Sequence, residues 1–394
     1  VWLKLCFPDF KCSKKEWEFS AMFNRSIAHN RRLALPRTTP AAGAYALVAM
    51  VTLCAVSPGR ARANLTITPT FDSSITSDPN AAAIEGTINS AIGVLESDIS
   101  TPITVSVYFQ ATPEDVEFDV FDNNTSQAVS SYYDYYNQLK AIDTAPGATS
   151  AQQTAFVSLG AAPSPSSGNP VTGYGSDTSI WFTAPNARAL GLNAPAYKVA
   201  SNGQTYDSII DLDPTLTYPP NPNTGSNYGL EATMFHELDE VLGIGGGGSQ
   251  LSFNNYMYGT SGLGPAPAFQ VGPMDLYRYS APGVRSFSIY YTASPYSYFS
   301  IDGGNTVLSY FNQYGDGTDY GDWLSDPFPA GYGPQVQDAI ATPGADPTLG
   351  VNELTALNVI GYTLAVPEPT TMGIALCGIV PVLLRRRRSS PTAG

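Results

Sequence analysis

All four cysteines of this 394-residue chain fall toward its ends: Cys6, Cys12 and Cys54 before residue 64, and Cys377 in the last apolar segment. The stretch 64–365 therefore has to fold without disulfides or thiolate metal sites, and its stability must come from a packed core. Its roughly 300 residues are enough for one large domain or two small ones. The same stretch holds one histidine, His236, the other being His29. Any metal bound there must be held by one imidazole together with carboxylates.

The flanking segments read as address signals. Met22 is followed by a basic stretch (Arg25, Arg31, Arg32, Arg37), an apolar run over 41–56 and the small-residue site Ala61-Arg62-Ala63. That order predicts a secretory signal peptide, so residues 1–63 are read as an upstream segment plus leader. Residues 366–394 run Val366-Pro367-Glu368-Pro369, an apolar segment over 372–384, then Arg385, Arg386, Arg387 and Arg388. Four arginines after an apolar stretch hold that end in the cytoplasm. The stretch is shorter than the about 17–25 residues of a spanning helix and contains Pro381, which suits a temporary anchor. At these residues the chain resembles the PEP-CTERM sorting signal of Gram-negative bacteria. The resemblance implies an exosortase-type membrane peptidase as partner, a transient inner-membrane anchor, and a final place at the cell surface or outside the cell.

Charge follows the same division. Of 19 lysines and arginines, only Lys140, Arg188, Lys198, Arg278 and Arg285 lie in 64–365, against about 30 acids. A net charge near about −25 excludes nucleic-acid binding, which needs basic patches. It favours solubility in an external medium and an affinity for hard cations such as calcium.

Hydrophobic periodicity predicts a strand over 64–71, a helix from residue 78 or 79 carrying Ala83, Ile84, Ile88, Ala91, Ile92 and Leu95, and a strand over 102–109. A tyrosine-rich helix is expected around Tyr132 to Tyr136 within 119–139, and a short one near 151–159. Strands are expected at 180–182 and 206–212. The region after 243 reads as loops and short strands as far as a closing helix over 352–362.

The helix predicted over 228–243 carries His236-Glu237-Leu238-Asp239-Glu240 and ends at Gly243-Ile244-Gly245-Gly246-Gly247-Gly248. Residues four apart on a helix share a face, so His236 and Glu240 can reach one ion while Glu237 points at a water beside it. This is the zinc-peptidase pattern HExxH with the second histidine replaced by Glu240. A carboxylate is a competent zinc ligand, but it lowers Lewis acidity and makes the site harder. The extended pattern would place a third histidine at 246, where Gly246 stands. The plain alternative is an amphipathic helix with Glu231, Asp239 and Glu240 in solvent.

The motif helix, the segment 273–285 (including Asp275-Leu276-Tyr277-Arg278-Tyr279-Ser280) and the segment from 298–304 to Gly321-Asp322-Trp323 resemble a family of secreted bacterial metalloprotease-like proteins with PEP-CTERM tails. Their motif helix reads HE-x-x-E-V-[LM]-G. The resemblance implies an α+β, zincin-like domain over 64–365, with a mixed sheet over a central motif helix and a loop-rich C-terminal half. It implies His236 and Glu240 as ligands of zinc or another divalent metal and Glu237 as general base, acting on a peptide or protein substrate. For the third ligand the sequence favours Asp275, with a salt bridge to Arg278 or Arg285 as the alternative. Asp316, Asp319 and Asp322, three apart among glycines, suit either a calcium loop or a solvated acidic turn. Two functions compete: a metallopeptidase, and a surface or matrix protein that keeps the fold without turnover.

Overall fold

The computed structural model describes residues 64–112, 121–164, 179–251, 271–287, 289, 296–313, 318–325 and 333–365. The expected leader, the sorting tail and Asp316 lie outside these residues. What is described is α+β. Strand β1 (Thr66–Phe71), helix α1 (Ala81–Asp98) and strand β2 (Thr104–Ala111) form a β-α-β unit with β1 and β2 parallel, Ile67 opposite Val105. The apolar stripe of α1 is buried as its spacing requires: Ile84, Ile88, Ala91, Ile92 and Leu95.

Two strands, β3 (Phe121–Thr125) and β4 (Gln127–Ser131), precede the tyrosine-rich helix α2 (Tyr132–Asp143). The sequence reading missed both strands. Ser131 marks the change of conformation: it is extended and its hydroxyl accepts from the Asp134 N–H, so the helix begins only after it. Helix α3 (Ser150–Ser158) opens with a reciprocal Thr149–Gln152 cap. Strand β5 (Ser179–Thr183) pairs antiparallel with β4 and leads into a short helix α4 (Ala184–Ala189), also unforeseen, capped by the Thr183 hydroxyl.

Strand β6 (Ser208–Leu212) completes the principal sheet, whose order is β1-β2-β6-β3. The first three strands are parallel and β3 runs antiparallel at the edge beside β6. The motif helix α5 (Leu230–Leu242) packs along α1 and against β3. A 2.7 Å bond from the Ser90 hydroxyl to Glu231 ties the two helices.

The C-terminal half is short-stranded, as expected. Strands β7 (Arg278–Ala281), β8 (Val284–Arg285), β9 (Tyr298–Phe299) and β10 (Ser309–Tyr310) form an antiparallel sheet ordered β8-β7-β9-β10. Helix α6 (Val351–Val359) closes the core against α3 and α5. One cluster of buried side chains runs from Leu65 through α1, α2, α5 and Trp323 to Tyr362, which explains how the fold holds without disulfides. No helix among the described residues is long and apolar enough to cross a membrane.

Candidate metal centre

Helix α5 is buried on nearly every side. Leu230, Met234, Leu238, Val241 and Leu242 have no exposed surface, and Phe235 has 2 %. Asp239 is also fully buried and Glu240 is 7 % exposed, so the plain amphipathic helix with solvated acids is not what forms. The helix stops at Gly243, whose φ of 107° lies in the left-handed region; its N–H bonds back to the Asp239 and Glu240 carbonyls. The next glycines turn the chain directly beneath the helix end. At Gly246 an added Cβ would strike the Asp319 carboxylate and lie 2.6 Å from Glu240 Oε1. The glycine run thus leaves room for acidic side chains that arrive from another part of the chain.

That other part is the loop carrying Asp319 and Asp322. Asn312 shapes it, donating its backbone N–H to the Asp322 carbonyl (2.8 Å) and its side-chain amide to the Asp319 carbonyl (3.0 Å). Trp323 is fully buried and stacks on Phe299, with ring centroids 5.4 Å apart. Anchored on both sides, Asp322 reaches the motif helix. Its Oδ2 lies 3.9 Å from His236 Nε2, and Glu240 Oε1 lies 3.7 Å from the same nitrogen. The ligand atoms of His236, Glu240 and Asp322 all fall within 4.8 Å of one another. Gly246 N–H bridges Glu240 Oε1 (2.7 Å) and Asp322 Oδ1 (3.1 Å), and Gln337 Nε2 donates to Asp322 Oδ1 at 3.0 Å.

His236 Nδ1 lies 3.0 Å from the Val336 carbonyl oxygen. A carbonyl only accepts, so Nδ1 carries the proton in the neutral ring and the Nε2 lone pair faces the two carboxylates. The second contact to Nδ1, from Gln337 Nε2 at 3.4 Å, is the weaker one because both nitrogens are then donors. The His236 side chain keeps 17 % exposure, whereas Glu237 keeps 5 %.

Crowding of acids sets the electrostatics. Burial, reinforced by Asp322, Asp319 and Glu237, raises Glu240 well above the ordinary carboxylate range, against the opposing pull of the Gly246 N–H. Burial pushes Asp322 up to about 7, against the pull of His236. For His236 burial acts to lower the value, yet Asp322, Glu237, the Val336 carbonyl and Asp319 outweigh it and hold the imidazole above its ordinary pKa. Buried carboxyls this close are stabilised either by protons or by a cation.

The sequence-predicted residues divide as follows. His236 and Glu240 converge, and Glu237 shares their helix and acts electrostatically on both. Asp275, favoured as third ligand, is not in the group. Its carboxylate, 1 % exposed, is occupied by the Ser249 hydroxyl (2.8 Å) and the Gln250 and Gly272 N–H groups (3.1 and 2.8 Å), so it is a structural anchor. The third carboxylate is Asp322, which the aspartate spacing had suggested for calcium. Asp322 faces His236 and Asp319 approaches Gly246, while Asp316, the third residue of the expected calcium loop, lies outside the described residues. Tyr277, in the segment that follows Asp275, gives its hydroxyl to the Val359 carbonyl at 3.1 Å. The signals that could have found Asp322 were Gly321, where a Cβ would collide with the Gly245 carbonyl, and the anchoring Trp323.

The donor set fits a divalent cation. Tetrahedral zinc with bonds of about 2.0–2.2 Å holds its ligand atoms roughly 3.3–3.6 Å apart. The two separations from His236, 3.7 and 3.9 Å, are close to that, and all three ligand atoms lie within 4.8 Å of one another. One imidazole with two carboxylates is a harder set than two imidazoles, which admits manganese or iron beside zinc. No protein-family model matches the chain, no curated protein matches it, and no solved structure matches it.

Proposed function

We propose that this chain is a secreted or cell-surface metal-dependent peptidase with a zincin-like domain, acting on peptide or protein substrates. His236, Glu240 and Asp322 hold a divalent ion, zinc or another, and Glu237 serves as general base. The observation that carries this reading is the convergence of one imidazole nitrogen and two carboxylates from separate segments on a single point. When bound, the ion supplies Lewis acidity, polarising the scissile carbonyl and lowering the pKa of an adjacent water. Glu237, one residue along the helix from His236, takes the proton from that water and returns it to the leaving amine. The Val336 carbonyl keeps His236 in the tautomer that presents Nε2. The mixed sheet beside the motif helix supports the zincin-like comparison. The leader and Pro-Glu-Pro tail support export and exosortase-type sorting.

The test is metal content of the purified protein by mass spectrometry, followed by hydrolysis of a generic protein with and without chelator. Bound metal with chelator-sensitive cleavage is the expected result. A second reading, an inactive surface or matrix protein of the same fold, is favoured by the low exposure of Glu237 and by the weaker Lewis acidity that two carboxylates impose. Bound metal without cleavage of any protein substrate would select it.

A further inference from the structure

We propose that Glu353 is a positioning residue of the metal centre, locking together the two loops that deliver Asp322 and orient His236. The inference rests on the metal-site reading above. Glu353 lies on α6, outside every segment that supplies a ligand, and is 1 % exposed. Its Oε1 accepts from the indole Nε1 of Trp323 at 3.0 Å, and Trp323 follows Asp322 directly. The backbone N–H of Gln337, which follows Val336, the residue whose carbonyl holds His236 Nδ1, also acts electrostatically on this carboxyl.

The two loops meet in their backbones as well. Trp323 N–H donates to the Gln337 carbonyl (2.7 Å), and Ala339 N–H donates to the Trp323 carbonyl (2.9 Å). The Gln337 side chain then reaches across to Asp322 Oδ1. Glu353, Trp323 and Gln337 thus form a triangle that joins the Asp322 loop to the segment whose carbonyl holds His236. The buried Glu353–Trp323 bond adds a side-chain anchor to the backbone pairs that already join the two loops. Residues one layer behind metal ligands commonly change metal affinity about 10- to 100-fold when replaced.

The simpler role is helix capping, because Glu353 is the third residue of α6 and the Gly350 N–H acts electrostatically on its carboxyl. Capping and positioning predict different readouts. Three variants of the full chain, Trp323→Phe, Glu353→Gln and Glu353→Ala, would be compared with the unmodified protein. Each would be titrated with cobalt(II), whose visible spectrum reports coordination, and examined by 15N NMR of the His236 ring, with a His29→Gln control for assignment. Positioning predicts a fall in cobalt affinity of about tenfold or more in Trp323→Phe. It also predicts movement of the His236 proton from Nδ1 toward Nε2. Capping predicts a lower melting temperature with both readouts unchanged.

Folded Trp323→Phe and Glu353→Gln proteins with unaltered cobalt affinity and unaltered His236 tautomer would overturn the proposal. Should Glu353→Ala fail to fold, Trp323→Phe still decides, since it removes the indole donor and keeps an aromatic ring against Phe299. Should the unmodified protein bind no cobalt, the functional reading falls, and the His236 tautomer still judges the clamp.

Discussion

Glu237, Glu240 and Asp322 are three buried acids in one site, and their replacement separates holding a metal from moving a proton. Glu237→Gln should keep metal and lower any peptide hydrolysis about 10²- to 10⁴-fold, the usual loss for a general base. Glu240→Ala and Asp322→Ala should both lose metal, read as metal per protein after dialysis. Asp275→Asn should keep metal and lose thermal stability, because its bonds to Ser249, Gln250 and Gly272 are internal to the fold. Metal retention by Asp322→Ala together with loss in Asp275→Asn would reverse that assignment. Acidity has a defined sign as well. Asp322 is pushed up to about 7 and His236 is raised, so protons compete with metal for both. Metal affinity, followed by cobalt titration, should fall as pH drops through about 7. An affinity that improves on acidification would contradict this ligand set. His236 and Glu240 were legible in the sequence because helical spacing alone brings them together. Asp322 was not, since no local rule specifies which distant loop folds over a helix end.

Among the elements, the turn after α5 does more than end a helix. Gly246→Ala should abolish metal binding, because the new methyl group must displace Asp319 or Glu240, whereas an alanine at Gly86 on α1 meets nothing within 4 Å. Loss of metal in both variants would point to a general effect on folding. Helix α2 offers a test away from the site. Asp143 is fully buried, and neither carboxyl oxygen has a hydrogen-bond partner. Burial raises its pKa from 3.8 to about 8. A carboxyl raised by folding contributes its full stability below the unfolded value and loses it as pH climbs through the folded one. Stability should therefore decline between about pH 4 and 8 on this account, and Asp143→Asn should flatten that slope and raise the melting temperature at pH 8. Each kcal/mol gained corresponds to roughly 2–4 °C for a domain of about this size. An unchanged slope would show that Asp143 is not its source. The periodic elements α1, β2, α5 and α6 were readable because a buried stripe imposes its period on the sequence. Strands β3 and β4 were obscured by Asn123, Asn124, Ser130 and Ser131, which are poor strand formers held by pairing with β6 and β5. Helix α4 was too short for periodicity to reveal, although Thr183 and Pro185 mark its start.

For the molecule as a whole, the α+β class was legible from the alternation of strand-like and helix-like periods, while sheet order was not, because β6 enters between β2 and β3 from far along the chain. Export predicts a surface-released form that begins at or near Asn64 and lacks Arg385 to Arg388, a difference that intact-protein mass spectrometry reads directly. Release of a chain with its arginines intact would refute the sorting reading. The triangle around Glu353 bears on timing. A chain synthesised from its N-terminus presents His236 and Glu240 well before Asp322, and Asp322 before Glu353. Joining segments more than a hundred residues apart is a slow step, in which loop closure precedes the contacts that reward it. Helix α6, the last helix among the described residues, is thus made after the segments that carry His236, Glu240 and Asp322. While that helix is still inside a ribosome or a translocation pore, the polypeptide has the motif but not the assembled group of His236, Glu240 and Asp322.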